Sequence, residues 1–259
     1  MGSSGKRLAV PFARTNGVKI AYEIAGTGPA LLLHPGMFQD GRHWAHSGYT
    51  EALVGDFTVI AMDPLGLGAS DAPTAEADYS LERRVASVTA VLDDVGVAQA
   101  AFWGYSLGAM TGYAVGALAP QRLSCLVAGG FDPIRGFRSA VEPTLAALGL
   151  PADTDAYPVM EQAAAAAPYQ AAVIAAGNRA AFRANYSAFA REPGLSAGVA
   201  ASGIPVLMYA GTADPWHEPM REFADHTPSA TFFSIIDADH QGGWDRCGDV
   251  LPTVVEFLT

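Results

Sequence analysis

A chain of 259 residues, half of it apolar and 16% charged, is long enough to bury one large core and too apolar to stay disordered. The net charge of −11 argues against nucleic acid or an anionic membrane surface as the main partner. Cys125 and Cys247 have no second thiol or histidine at metal-ligand spacing, so neither a disulfide framework nor a metal centre is expected. There is no apolar stretch of about 18 residues, and the apolar run in MGSSGKRLAVPFAR is too short for a secretory leader. The expected setting is the reducing cytoplasm, with no membrane span.

In chain order, GVKIAYEIAG (17–26) alternates apolar and polar residues as a half-exposed strand does. PALLLHP (29–35), FTVIAMDP (57–64), AQAAFWGY (98–105), RLSCLVAGG (122–130), IPVLMYAG (204–211) and ATFFSIID (230–237) are continuous apolar runs, the pattern of strands buried on both faces. Between them lie helical patterns. Leu81, Val85, Val88, Leu92 and Val95 keep helical spacing, and Glu82 stands in the first turn, where the helix dipole favours it. Further helices are predicted through MTGYAVGALA, over PMREFADH and at the C-terminus to Phe257. Such alternation predicts an α/β fold: a mostly parallel sheet with helices on both faces.

Residues 132–200 break the rhythm. They are Ala-rich, lack a convincing strand and carry Phe182, Tyr186 and Phe189 on one helical stripe, a pattern that packing explains. An insertion at the carboxyl end of parallel strands tends to cover the ligand crevice. The expected organisation is a core of 1–131 and 201–259 with a small helical cap over 132–200.

The chemistry centres on Gly104-Tyr105-Ser106-Leu107-Gly108, a G-x-S-x-G stretch between a predicted strand and a predicted helix. In that setting the serine is held on a strained turn and its hydroxyl is lifted above the sheet, with glycines where side chains would collide. A serine nucleophile needs a base, and the base needs an orienting acid. His240 lies just past the last strand, on the same sheet edge as Ser106, and is favoured over His34, His43, His46, His217 and His226. The last four fall in polar segments expected to be exposed. Asp214, in the tight GTADP turn after a clear strand, is favoured as the acid over Asp132, and Asp239 is disfavoured by its adjacency to His240. The Leu107 N–H is one expected oxyanion donor, because it heads the following helix. The second is expected from the loop His34-Pro35-Gly36-Met37.

These stations (LLLHPG, DPLGLGASD over 63–71, GYSLGA, then GTADP and DADH) resemble the α/β-hydrolase family over nearly the whole chain, in particular its small members with a helical lid, the esterase, lactonase and proline-iminopeptidase-like branch. The resemblance implies the α/β-hydrolase fold, Ser106 as nucleophile, Asp214 as acid and His240 as base, with no cofactor. The family usually has His-Gly where this chain has His34-Pro35; proline lacks an N–H, so the resemblance moves the second donor to Gly36, slightly preferred, or to Met37. It also implies a loop-organising role for His34 and a structural turn for Asp63, Gly66, Gly68 and Ser70.

Apolar side chains of the cap and loops, chiefly Met37, Phe38, Trp216 and Phe131, are the expected substrate contacts, and with few basic residues nearby the expected substrate is a small, largely apolar ester or lactone. Alternatives on the same triad are cleavage of carbon–carbon bonds, thioesters or N-terminal amino acids. Outside hydrolysis, the scaffold also suits a ligand receptor or a cofactor-free oxygenase. Quaternary state is not legible.

Overall fold

The computed structural model describes residues 10–192 and 194–259. The first nine residues, on which the leader argument partly rests, and residue 193 lie outside this range.

Strands β1 (Phe12–Thr15), β2 (Val18–Ala25) and β3 (Ala30–His34) are followed by two short helices, α1 (Arg42–His46) and α2 (Tyr49–Leu53), then β4 (Thr58–Met62) and α3 (Leu81–Val95). Next come β5 (Ala100–Tyr105), α4 (Leu107–Leu118) and β6 (Leu123–Gly129). Helices α5 (Arg138–Ala147), α6 (Tyr157–Ala164), α7 (Pro168–Ala176), α8 (Arg179–Arg191) and α9 (Ser196–Ser202) separate β6 from β7 (Val206–Gly211). The chain closes with α10 (His217–His226), β8 (Ala230–Ile235), α11 (His240–Asp245) and α12 (Cys247–Leu258).

The strands form one sheet in the order β1-β2-β4-β3-β5-β6-β7-β8. β1 and β2 pair antiparallel, as do β2 and β4, and every later pair is parallel. The apolar runs follow from this arrangement. In β3, Leu32 faces one core while Leu31 and Leu33 face the other; in β5, Phe102 opposes Ala101 and Trp103 in the same way. All of these but Ala101 are fully buried, and each large apolar side chain contributes roughly 1.5–3 kcal/mol. One face packs against α3 and α4, the other against α2 and α12.

Three features were not in the sequence reading. β1 is a short edge strand, and α1 and α2 are five residues each, below the length at which helical periodicity shows. His43 and His217, expected in exposed segments, are buried: His43 stacks on Tyr169 with ring centroids 3.9 Å apart, and His217 Nε2 lies 2.8 Å from Ser234 Oγ. His46 and His226 are exposed.

Candidate active site

Ser106 sits between β5 and α4 with φ 54° and ψ −113°, a strained conformation for a residue with a side chain. Its neighbours impose the turn. A Cβ on Gly104 would overlap the Gly108 carbonyl and lie 2.6 Å from Ala109 N, and one on Gly108 would overlap the His34 carbonyl and lie 2.9 Å from Pro35 O. Both glycines are therefore steric requirements of strand, elbow and helix meeting at one point. The turn is tied to the sheet by Ser106 N–H donating to Gly129 O (2.8 Å).

His240 follows β8 and opens α11. Its Nδ1 lies 2.8 Å from Asp214 Oδ2, and the Asp214 side chain is fully buried. Asp214 Oδ1 accepts from Trp216 N–H (3.0 Å), so the carboxylate is fixed at both oxygens. The ring of His240 is flanked by those of Trp216 and Tyr105, at centroid distances of 4.8 and 5.2 Å, and Tyr105 Oη donates to His240 O (2.5 Å). Asp132, the second candidate acid, is committed elsewhere: its carboxylate accepts from Ile134 N–H, Arg135 N–H and Ser139 Oγ–H. Asp239 caps α11 through Gly242 N–H (2.8 Å).

Ser106 and His240 line one cavity of about 330 Å³, together with Gly36, Met37, Phe38, Gln39, Met160, Ala163, Ala164, Gln170, Gln241 and Trp244. Among the described residues no direct hydrogen bond joins Ser106 Oγ to His240.

Two sequence expectations need correction. Gly36, the preferred second oxyanion donor, has its N–H directed at Gln39 Oε1, 2.7 Å away, so that donor is engaged. Phe131 and Trp216 do not line the cavity: Phe131 packs against Phe189 and Trp216, and Trp216 Nε1–H donates to Gly136 O (2.9 Å). Trp216 instead backs the imidazole. Met37 and Phe38 do face the cavity. The sequence reading did not find Gln39, Met160, Gln170 or Gln241, and single amides and a methionine in loops and Ala-rich helices carry no spacing signal.

His34 is deeply buried, and burial pushes its pKa down to about 4. A neutral imidazole must then carry its proton on Nδ1 to meet Pro35 O at 2.9 Å, which organises the loop. Asp63 accepts from Gly41 N–H (2.8 Å) and Ala69 N–H (2.7 Å), while Ser70 Oγ donates to Asp63 O (2.7 Å) and accepts from Ala21 N–H (2.9 Å). That turn is a structural knot beside the site.

Parallel sheet, elbow serine and histidine–carboxylate pair at the carboxyl edge define an α/β-hydrolase architecture, and the comparisons with known proteins agree. A family profile described as alpha/beta hydrolase fold matches residues 29–132. Among solved structures, an enol-lactonase from Burkholderia xenovorans LB400 is 25% identical with a TM-score of 0.77, covering 96% of this chain and 99% of that one. A hydrolase from Pseudomonas aeruginosa PA01 is 26% identical with a TM-score of 0.78, covering 98% and 99%. Among curated proteins, an uncharacterized protein of Mycobacterium tuberculosis is 35% identical over 122 residues, 46% of this chain, and epoxide hydrolase 3 of Siraitia grosvenorii is 30% identical over 113 residues, 44% of this chain. These matches span about a third (35%) of the length of those two curated relatives. The chain shares the α/β-hydrolase fold with these proteins.

Proposed function

We propose that the protein is a serine hydrolase that cleaves a small, uncharged, largely apolar ester or lactone through Ser106, His240 and Asp214. The observation that carries this reading is the hydrogen bond from His240 to the buried Asp214, at the rim of a cavity that the strained Ser106 turn also lines. His240 Nδ1–H held by Asp214 leaves Nε2 as the basic atom. Substrate binding brings Nε2 within reach of Ser106 Oγ–H, as catalytic hydrogen bonds commonly tighten only in the complex.

Oγ then attacks the carbonyl carbon, the proton passes to Nε2 and the negative charge settles on the former carbonyl oxygen. The Leu107 N–H, at the head of α4 with no intrahelical partner, is the expected donor to that oxygen. Expulsion of the alcohol takes the proton back from His240, and a water activated by the same imidazole releases the acid. A lactone gives one product, because both halves stay joined.

The cavity supports an uncharged substrate. Its polar lining combines the amides of Gln39, Gln170 and Gln241 with Ser106, His240 and the exposed carboxylate of Asp239, none of them a fixed positive charge, and its apolar lining comes from Met37, Phe38, Met160 and Trp244. The residues between β6 and β7, over 132–200, serve as the cap: α6 and α7 supply Met160, Ala163, Ala164 and Gln170 to the cavity, whereas α9 packs on α4. The name of the Burkholderia relative, an enol-lactonase, favours the same bond class. The two free, half-buried cysteines suit a reducing cytoplasm.

The test is intact-mass analysis after a fluorophosphonate probe, with peptide mapping. Single labelling on Ser106, lost in Ser106→Ala together with hydrolysis of p-nitrophenyl esters, is the expected result. Unlabelled Ser106 with tight small-molecule binding would replace the hydrolase reading by a receptor.

A further inference from the structure

A second cavity, of about 660 Å³, adjoins the one of about 330 Å³ that Ser106 and His240 line. It lies between the turn after β4 and helix α7, and its lining includes Leu67, Val173, Ala176 and Phe182 with Asp40 and Asn178. Neighbouring residues serve the two spaces. On the loop after β3, Gln39 lines the catalytic cavity and Asp40 the second; on α7, Gln170 lines the first and Val173 the second. Two buried rings meet between them. Phe38, on the catalytic side, stands edge-on to Phe182, on the other, with centroids 5.6 Å apart and planes at 85°. Phe38 has φ 60°, a left-handed conformation that a bulky side chain rarely adopts. The buried carboxylate of the second cavity is already matched, since Asp40 accepts from Arg42 Nη2–H and Tyr169 Oη–H, each at 2.6 Å. An apolar group entering that space would meet Leu67, Val173, Ala176 and Phe182.

Resting on the Ser106 reading above, we propose that the second cavity is a chamber for the distal part of the substrate's acyl chain, entered past the Phe38–Phe182 pair. The sheet order decides which end of the substrate goes there. Ser106 follows β5, with β3 and β4 on one side of that strand and β6, β7 and β8 on the other. His240, after β8, protonates the leaving alcohol, so the alcohol lies towards β8 and the acyl chain towards β3 and β4. Phe38 follows β3 and Leu67 follows β4, so the partition and the chamber stand on the acyl side. The strain at Phe38 suits a movable partition, because a ring held in an unfavourable backbone conformation costs less to displace than a relaxed one. The catalytic cavity, at the small end of the roughly 300–1,000 Å³ usual for ligand pockets, then holds the reacting bond and the first carbons. The substrate class is an uncharged ester with an extended alkyl acyl chain, not an acetyl or similarly short group.

The test is a chain-length profile. Values of kcat/KM on p-nitrophenyl acetate, butanoate, octanoate and decanoate are compared for wild type, Val173→Phe and Phe182→Leu. Thermal melting is the folding control, and fluorophosphonate labelling of Ser106 is the control on the nucleophile. Each buried CH2 is worth up to about fourfold, so octanoate should exceed acetate by at least about tenfold in wild type. Val173→Phe fills the second cavity from α7 and does not line the catalytic one, so it should lower the octanoate-to-acetate ratio by about tenfold. Phe182→Leu shortens the partition and should raise that ratio about threefold. A wild-type profile that falls beyond butanoate, or a folded Val173→Phe protein with the wild-type ratio, overturns the chamber; with Ser106 labelled, the hydrolase reading stands. If Val173→Phe melts early, a ratio not raised in Phe182→Leu has the same force. Failure of Ser106 to label in wild type overturns both.

Discussion

The imidazole of His240 reaches the carboxylate of Asp214 across 26 residues of sequence, Nδ1 to Oδ2 at 2.8 Å, because β7 and β8 are adjacent parallel strands whose carboxyl ends lie side by side. The carboxylate is fully buried and the imidazole one-third exposed, so the acid orients and the base faces the cavity. Asp214→Asn should therefore cut ester turnover by about 10³–10⁴-fold, since an amide no longer selects the Nδ1–H tautomer. Asp132→Asn provides the contrast: Asp132 holds the 132–139 turn, so its loss should lower the melting temperature with kcat reduced less than about fivefold. Steady-state kinetics on the two variants separate the roles. Equal losses in kcat would return Asp132 to the site.

The elbow makes a stability prediction. Gly104→Ala places a methyl group against the backbone of Gly108 and Ala109, where no side-chain rotation relieves it. The expected cost is about 3 kcal/mol or more, a melting temperature lower by about 10 °C. Gly55→Ala meets nothing within 4 Å and should shift it by less than about 2 °C. Differential scanning calorimetry of the two variants measures the contrast, and a Gly104→Ala protein as stable as wild type would remove the steric account of the motif.

The buried strands were legible because residues packed on two faces must be apolar on both, which leaves long runs such as LLL at 31–33 and VLMYA at 206–210. Ser106, Asp214 and His240 were legible because strand ends in a parallel sheet collect at one edge, so chain order alone brings them near one another. The loop after β3 was not. Whether the Gly36 N–H is free depends on where one side chain, Gln39, turns, and no periodicity encodes a single rotamer. Phe131 and Trp216 failed as substrate contacts for a related reason: sequence places them near the site, while packing against Phe137 and Phe189 turns them away from the cavity. Burial of His43 likewise rests on the distant Tyr169 of α7.

Stability should fall in mild acid. Burial holds both His34 and His43 down to about pKa 4, below the ordinary 6.5 that each has in the unfolded chain. Above pH 6.5 the shift has no consequence, because both states are neutral. As pH falls from 6.5 towards 4 the unfolded chain binds protons that the folded protein refuses, and stability drops, by at most about 3 kcal/mol for each histidine. Asp63 acts in the other direction: burial raises it to about 6, so the folded protein takes up a proton between pH 6 and 4 before the unfolded chain does, and regains part of the loss. Burial raises the carboxyls of Asp132 and Glu192 as well, and they work with Asp63, but the two histidines carry the larger shifts and leave a net decrease, read as a falling melting temperature from pH 6.5 to 4.5. His43→Phe, which keeps a ring to stack on Tyr169, should flatten that slope. An unchanged slope would show that His43 is free to charge in the folded state.

The final prediction concerns substrate charge. The carboxylate in the cavity lining is that of Asp239, exposed and engaged in capping α11. A substrate carrying its own carboxylate meets this charge, and the amides of Gln170 and Gln241, joined to each other at 3.1 Å, offer no positive charge in return. Exposure and salt weaken the repulsion to about 1 kcal/mol, so a methyl-capped diester should outrun its half-acid of equal length by about fivefold in kcat/KM at low ionic strength. Asp239→Asn removes the charge and keeps a good N-cap, so the helix persists while the preference shrinks towards unity. Added salt should have the same effect on the wild type. A half-acid cleaved faster than its diester in wild type would place a cation near the bound acyl chain and contradict the uncharged-substrate reading.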